Sequence, residues 1–373
     1  MSSSTSTPAL FRPTQVGEIE LSHRVVLAPQ TRFRANKEQV PGDLVLDYYK
    51  QRGSVPGTLL ITEATCISAH TFLENAPGIY TDEQISGWKK TTEAVHAQGS
   101  YIFVQLAGAG RMARRKIFNP RDDAPYVAPS PIPIPESGEK VPKEMTKEEI
   151  KQYVDWFATS AANAVHRAGF DGVEIHGANG YLLNQFLEDT INKRTDEYGG
   201  SIENRARFML EVVDAIVARV GQSKTGLRLS PWDKGPFGDM RMDDPVPTYT
   251  YLVDQLKQKY PNLAYLHVVS PIAPFNAPPE NATQSDFIYR IWSPRPIITT
   301  GGYDRESGLK VAAETGQLVG YGRAFLANPD LPFRLEKDIA LNQVDPTTIY
   351  ARESPDGYTT YPFCEEFLKS RQA

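Results

Sequence analysis

Short apolar runs separated by helix-forming stretches recur eight times along this chain, and that count restricts its fold more than anything else in it. The candidate strands are Arg24 to Ala28, Thr58 to Thr62, Tyr101 to Leu106, Val173 to Ile175, Gly226 to Leu229, Leu263 to Val268, Pro296 to Thr300 and Leu318 to Gly320. Helices are expected over Asp43 to Arg52, Thr81 to Gln98, Thr146 to Arg167, Ser201 to Val220, Pro247 to Tyr260, Glu306 to Thr315 and Leu331 to Leu341. Thr81-Asp82-Glu83-Gln84 and Thr146-Lys147-Glu148-Glu149 have capping-box spacing, in which each end of the motif satisfies a free N–H of the other. Strands that alternate with helices pair in parallel, and eight such units predict an α/β fold, the closed (β/α)8 TIM barrel. An open doubly wound sheet is the alternative, but no glycine-rich fingerprint follows the first strand.

The 373 residues, 40% of them hydrophobic, suffice for one large barrel domain over residues 10–373, with an N-terminal cap and a flexible tip at residues 1–9. Residues 107–145 read as a lid loop after the third strand, because Phe118 to Pro142 is proline-rich and aperiodic. A disordered insertion is the other reading of that segment. The net charge of −5 argues against nucleic acid. Arg111, Arg114, Arg115 and Lys116 read as a solvated loop or a phosphate-facing patch. Two cysteines, Cys66 and Cys364, are too few for a disulfide scaffold or a cysteine-ligated cluster. With no apolar leader or membrane-length run, a cytoplasmic protein is expected.

In barrels of this kind chemistry sits at the carboxyl ends of the strands. The first strand ends at Pro29-Gln30-Thr31, the second at Glu63-Ala64-Thr65 and the third at Gln105. His176, Asn179 and Tyr181 follow the fourth, Arg228 ends the fifth, Gly301-Gly302 the seventh and Gly322-Arg323 the eighth. So many polar groups buried together require something to fill their hydrogen bonds. His176 and Asn179, three residues apart, can converge on one oxygen while Tyr181 acts from another side. The glycines and Arg323 suit a phosphate, Gln105 a heterocycle edge, and Arg228 developing negative charge. Structural alternatives stand beside these: a core histidine, a turn-forming Asn179, Tyr181 in an apolar set with Leu182, Gln185 and Phe186, and a salt bridge from Arg228 to Glu63 or Glu174. Glu63 and Glu174 read as supporting groups.

These residues resemble the Old Yellow Enzyme family of flavin-dependent ene-reductases over roughly Leu10 to Phe367. The resemblance is carried by Ser22-His23-Arg24-Val25-Val26, Pro29 to Ala35, His176 to Phe186, Arg194 to Arg205, Gly320-Tyr321-Gly322-Arg323 and Asn328-Pro329-Asp330-Leu331. It implies non-covalent FMN on the barrel, held by Pro29, Thr31, Ala64, Gln105, Arg228, Gly301, Gly302, Gly322 and Arg323. It implies NADPH as the hydride donor and an α,β-unsaturated aldehyde or ketone as substrate. His176 and Asn179 would grip the substrate oxygen, flavin N5 would give hydride to the β-carbon, and Tyr181 would protonate the α-carbon. Tyr350 would join the substrate pocket. The sequence is also similar to the fungal branch acting on ergot-alkaloid aldehydes, where a tyrosine at the acid position goes with net reduction. A reductase or isomerase dedicated to one alkaloid-type enal is therefore an alternative.

Two departures matter. Ala107 stands where many relatives carry tryptophan, which predicts a roomier pocket, and Ile349 is aliphatic where an aromatic is common. Other classes are a metal-dependent barrel hydrolase and a flavin-storing protein without turnover. The six histidines, His23, His70, His96, His166, His176 and His267, show no ligand pairing, so no metal site is expected. A monomer or homodimer is expected, without nucleic-acid or membrane partners.

Overall fold

The computed structural model describes residues 7–71, 73–119, 125–270 and 282–372. Most of the expected tip, residues 1–6, lies outside the described residues, and Ala9–Phe11 already forms a turn with Leu10 buried. A hairpin of β1 (Thr14–Val16) and β2 (Ile19–Leu21) precedes the first barrel strand, β3 (Val25–Leu27). Gly17 turns the hairpin at φ 53°, and a Cβ there would sit 1.9 Å from the Ser223 carbonyl oxygen, so only glycine fits.

The chain then runs α1 (Asp43–Arg52), β4 (Leu59–Cys66), α2 (Asp82–His96) and β5 (Tyr101–Ala107). Next come β6 (Val127–Ala128), β7 (Lys143–Glu144), α3 (Lys147–Ala162), β8 (Gly172–Gly177), α4 (Leu182–Leu187), α5 (Ile202–Val220) and β9 (Thr225–Leu229). After α6 (Val246–Lys259) follow β10 (Tyr265–Val269), α7 (Asp286–Trp292), β11 (Ile297–Thr300), α8 (Arg305–Thr315) and β12 (Leu318–Tyr321). Three short helices, α9 (Arg323–Ala327), α10 (Leu331–Lys337) and α11 (Glu365–Ser370), complete the fold.

Eight parallel strands close in the order β3-β4-β5-β8-β9-β10-β11-β12, with β12 returning to pair with β3. That closure excludes the open sheet. Both predicted capping boxes are present at Thr81/Gln84 and Thr146/Glu149. The strand faces and helices enclose the main core, while Val16, Ile19 and Leu21 of the hairpin pack with Val26, Leu59, Ile61, Phe103, Tyr265 and Ile298 inside the amino end of the barrel.

Several boundaries depart from the sequence reading. The second strand does not stop at Thr62 but continues to Cys66 after a register irregularity between Ile61 and Ala64, so Glu63 and Ala64 lie within it. Gln105 likewise precedes the end of its strand by two residues. The helix from Thr146 gives way to a π-helical turn at Asn163–Arg167, and α10 ends at Lys337, where Asp338 takes φ 57°. The segment between β5 and α3 is not featureless. It holds 3-10 turns at Gly110–Arg114, Lys116–Phe118 and Pro135–Ser137 and the parallel pair β6–β7, with residues 120–124 outside the described residues.

Candidate active site

His176 leaves the carboxyl end of β8 buried, at 4% exposure, and its Nδ1 has no hydrogen-bond partner. Register places it beside Arg228 of β9, and Arg228 beside His267 of β10. Burial, with these two neighbours, drives the His176 pKa well below the usual histidine range, so the ring is neutral. The Tyr181 ring lies 4.5 Å from the His176 ring at a 32° tilt. Burial pushes the Tyr181 phenol up to about 12 against the pull of Arg115, which keeps its proton in place at neutral pH.

Asn179 joins these two through a left-handed turn at φ 57°, a conformation that asparagine tolerates. Its backbone N–H donates to Ser230 Oγ at 2.7 Å and its Nδ2 to Asp233 Oδ2 at 2.6 Å, so the loop after β9 fixes it from two sides. Helix α4 braces the same loop: Gly180 N donates to Asn184 Oδ1 at 2.8 Å, and Gln185 Nε2 to the Gly180 carbonyl at 2.7 Å. The turn reading of Asn179 and the functional reading are thus compatible.

The other strand ends face the same space. Arg228 is buried with Nε unpartnered. The salt bridge that stood as the structural alternative for Arg228 does not form, because both interior carboxylates are bonded elsewhere. Glu63 Oε2 accepts from the N–H groups of Arg32 (2.9 Å) and Phe33 (3.3 Å), and Glu174 accepts from Gln105 Nε2 (2.7 Å) and lies 2.8 Å from His267 Nδ1. Glu63 thereby holds the turn that follows Pro29 and Thr31. That turn is strained, since Phe33 takes φ 59°, costly for a bulky side chain.

A second clamp grips this turn from residues 345–357. Arg32 Nε donates to the Ile349 carbonyl (3.1 Å) and Nη2 to that of Gly357 (2.6 Å), while Arg34 donates to the carbonyls of Thr348 (2.8 Å), Ile349 (2.8 Å), Ser354 (3.0 Å) and Asp356 (3.0 Å). The clamp carries Tyr350, 51% exposed, whose ring is 5.9 Å from Phe33. Phe33 continues through Phe118 (6.0 Å) to Tyr181 (6.3 Å from Phe118), an aromatic wall along one side of the site.

Pro29 and Ala64 are buried, Thr31, Gly322 and Arg323 half-buried, and Gly302 is exposed beside buried Gly301. A Cβ at Gly322 would come within 2.8 Å of Gln30 Nε2, so glycine lets the ends of the first and eighth strands approach. Arg111 is not solvated as expected. Its side chain is fully buried and pairs with Asp239 at 2.9 Å. Among the described residues no group of three or more His, Cys, Asp or Glu side chains could hold a metal.

Sequence reasoning missed Asp233, whose only signal was its place five residues beyond Arg228, and the pairing of His267 with Glu174. Three of the buried polar atoms left bare, His176 Nδ1, Arg228 Nε and Gln30 Oε1, lie at the carboxyl ends of three different strands or in the loops after them. In a native protein such groups have partners, so this end is built around a ligand with polar edges, which a flavin fits.

Comparison with known proteins agrees. A sequence model described as the NADH:flavin oxidoreductase / NADH oxidase family matches residues 9–342. Chanoclavine-I aldehyde reductase of Penicillium roqueforti is 45% identical over 98% of this chain and 99% of its own. The 12-oxophytodienoate reductase 1 of Oryza sativa is 46% identical, covering 96% and 93%. The crystal structure of Old Yellow Enzyme from Pichia sp. AKU4542 superposes with a TM-score of 0.87 at 38% identity, covering 96% and 94%.

Proposed function

This chain belongs to the NADH:flavin oxidoreductase / NADH oxidase family, and we propose that it is an FMN-dependent ene-reductase using NADPH to saturate the C=C bond of enones and enals. The observation that carries the proposal is the neutral, buried His176, its Nδ1 unpartnered and its ring tilted against that of the protonated Tyr181, with Asn179 three residues away. Bound FMN would supply the redox chemistry, accepting hydride from the nicotinamide and passing it to the substrate β-carbon.

The chain's own residues do the rest. Hydride addition moves charge onto the substrate oxygen, and fixed donors there stabilise the enolate more than the starting carbonyl. Asn179 has one amide N–H committed to Asp233 and a second free for that oxygen. The neutral His176 ring offers one N–H and carries no charge that substrate binding must displace. Tyr181 holds its proton at the phenol oxygen until the α-carbon becomes basic. Thr31, Pro29, Ala64, Gln105 and Arg228 would line the flavin ring, and Gly301, Gly302, Gly322 and Arg323 its phosphate. Tyr350 and the small Ala107 would shape the pocket, with residues 107–145 as its lid.

The named activities of the fungal and rice relatives support an unsaturated carbonyl substrate, and the fungal one supports the alternative of a single alkaloid-type enal. The preference for NADPH over NADH rests on the family resemblance alone. No helix among the described residues is long and apolar enough to cross a membrane; we read the site of action as the cytoplasm and the state as monomer or homodimer.

Anaerobic stopped-flow tests the proposal. Wild type and Tyr181→Phe are reduced with NADPH, or with NADH in parallel, and then mixed with cyclohexenone. Fast reoxidation in wild type and reoxidation slowed about 10²-fold or more in the variant, with reduction unchanged, is expected. Equal reoxidation would remove Tyr181 as the acid, and a colourless protein would remove the flavin.

A further inference from the structure

Four side chains from four strands form a continuous hydrogen-bonded line across the barrel interior. Gln105 Nε2 of β5 donates to Glu174 Oε1 of β8 at 2.7 Å. Glu174 Oε2 lies 2.8 Å from His267 Nδ1 of β10, and His267 Nε2 lies 2.6 Å from Thr300 Oγ1 of β11. Glu174 and His267 are fully buried and Gln105 is 1% exposed, so a misplaced proton anywhere in the line would be costly.

The protons can be assigned by elimination. Burial alone would push the Glu174 carboxyl up, but the hydrogen bonds it accepts from His267 and Gln105, with the nearby Arg228 guanidinium, hold it below the usual range, so it is ionised. Burial, reinforced by Arg228 and opposed by Glu174, lowers His267, which is therefore neutral. An ionised carboxylate only accepts, so Gln105 Nε2 and His267 Nδ1 both donate to it. His267 Nε2 is then the acceptor for the Thr300 hydroxyl. The consequence falls on Gln105. A glutamine amide can face a ligand with either atom, but here one N–H of the nitrogen is bonded to Glu174, which fixes the flip of the amide and leaves Oε1 accepting no hydrogen bond from the described residues.

We propose that Glu174 is a positioning residue that locks Gln105 in one amide orientation, so that Gln105 Oε1 is an acceptor selecting the imide N–H of the flavin ring. His267 and Thr300 hold Glu174 from the far side and tie it to the strand end that leads into Gly301. The inference rests on the flavin reading above and adds to it the group that gives Gln105 its selectivity. Without a carboxylate behind it, Gln105 would accept a donor or an acceptor edge equally.

The test is titration of the apoprotein with FMN and with 3-methyl-FMN, followed by quenching of flavin fluorescence, in wild type, Glu174→Gln and Gln105→Leu. The methyl group removes the imide N–H and leaves the rest of the ring unchanged. Wild type should prefer FMN about tenfold or more. Glu174→Gln, whose amide can pair with either face of Gln105, should discriminate less than about threefold. Gln105→Leu supplies the steric baseline of the methyl group. A general loosening of the fold would weaken both flavins alike and leave the ratio intact, so a full ratio in Glu174→Gln overturns the proposal. If Glu174→Gln does not fold, Glu174→Met, which removes the carboxylate behind Gln105 at similar volume, takes its place, and a full ratio there overturns the proposal, as does a ratio in Gln105→Leu equal to wild type. Wild type that binds neither flavin would bring down the flavin reading itself, an outcome distinct from a lost preference.

Discussion

His23 and His176 are both buried and both held neutral, yet they sit at opposite ends of the barrel and differ in one respect. His23, at the amino end, has both nitrogens bonded: Nδ1 accepts from the Val25 N–H at 3.2 Å, and Nε2 meets Thr58 Oγ1 at 3.0 Å. His176, at the carboxyl end, has Nδ1 bare. Around His23 the hairpin and strand residues fill the barrel with mostly apolar side chains, although the Tyr265 hydroxyl among them is left without a partner. Around His176 there are unpartnered polar atoms, a phenylalanine at positive φ and a carboxylate committed to holding a turn. Burial alone does not mark a site. Several open bonds at neighbouring strand ends inside a rigid frame do, because the frame has already met the cost that a ligand would otherwise meet on binding.

The comparison breaks most visibly at the amino end if Phe103→Ala is tolerated. Phe103 packs there with Tyr265 at 5.6 Å between ring centres. Its truncation should cost about 3–5 kcal/mol in urea unfolding while the flavin spectrum of the folded fraction stays unchanged. At the carboxyl end the reverse is expected. His176→Ala should slow cyclohexenone-driven reoxidation about 10²- to 10³-fold and destabilise less than Phe103→Ala in urea unfolding, since no internal hydrogen bond is lost. His23→Ala should do the opposite, and equal destabilisation by the two histidine variants would erase the distinction.

Acid titration sharpens the same contrast. Burial lowers His23 to about 4, so its contribution to stability is present above pH 6.5 and is lost as pH falls toward 4. Burial raises Glu63 to about 7 despite the Arg32 and Phe33 N–H groups, so its contribution is present below pH 4.5 and is lost as pH rises through 7. Each amounts to something on the order of 3 kcal/mol, and between pH 4.5 and 6.5 the two offset each other. Relative to wild type, the urea midpoint across that window should fall more steeply with acid in Glu63→Gln and less steeply in His23→Gln. The smallest effect is expected from Tyr350→Phe, which keeps the ring contact with Phe33 and should change the KM for cyclohexenone less than about threefold with stability within about 0.5 kcal/mol.

The barrel was legible because its signals are local. Thr81 and Thr146 announce their helices, and apolar runs of strand length announce the sheet. The short helix α4 was read only as an apolar set, since six residues cannot establish a helical period. The bulge after Ile61 was invisible for a different reason: a register shift is a property of two strands, and Glu63 looks like a strand terminator until its partner strand is known. The strand-end residues were legible from position alone. What was not legible is who bonds to whom among them. Arg228 was offered Glu63 and Glu174 as partners, but β5–β8 register sets Glu174 beside Gln105 and leaves Arg228 between two histidines. Arg111 was assigned to solvent on its charge, and its pairing with Asp239 spans 128 positions, which no local pattern reports.

The clamp on Arg32 and Arg34 has a consequence in time. Thr31 stands at the end of the first barrel strand, but the carbonyls that fix the turn after it belong to residues 348–357. A ribosome making this chain finishes every strand of the barrel before it makes them. Until then the guanidinium groups of Arg32 and Arg34 lack these partners, and the turn beside Thr31 is held in its strained form by Glu63 and, at Ala35, by Asn75. A released chain ending at residue 342 should therefore close the barrel and still fail to retain FMN, so that cofactor capture waits for the clamp.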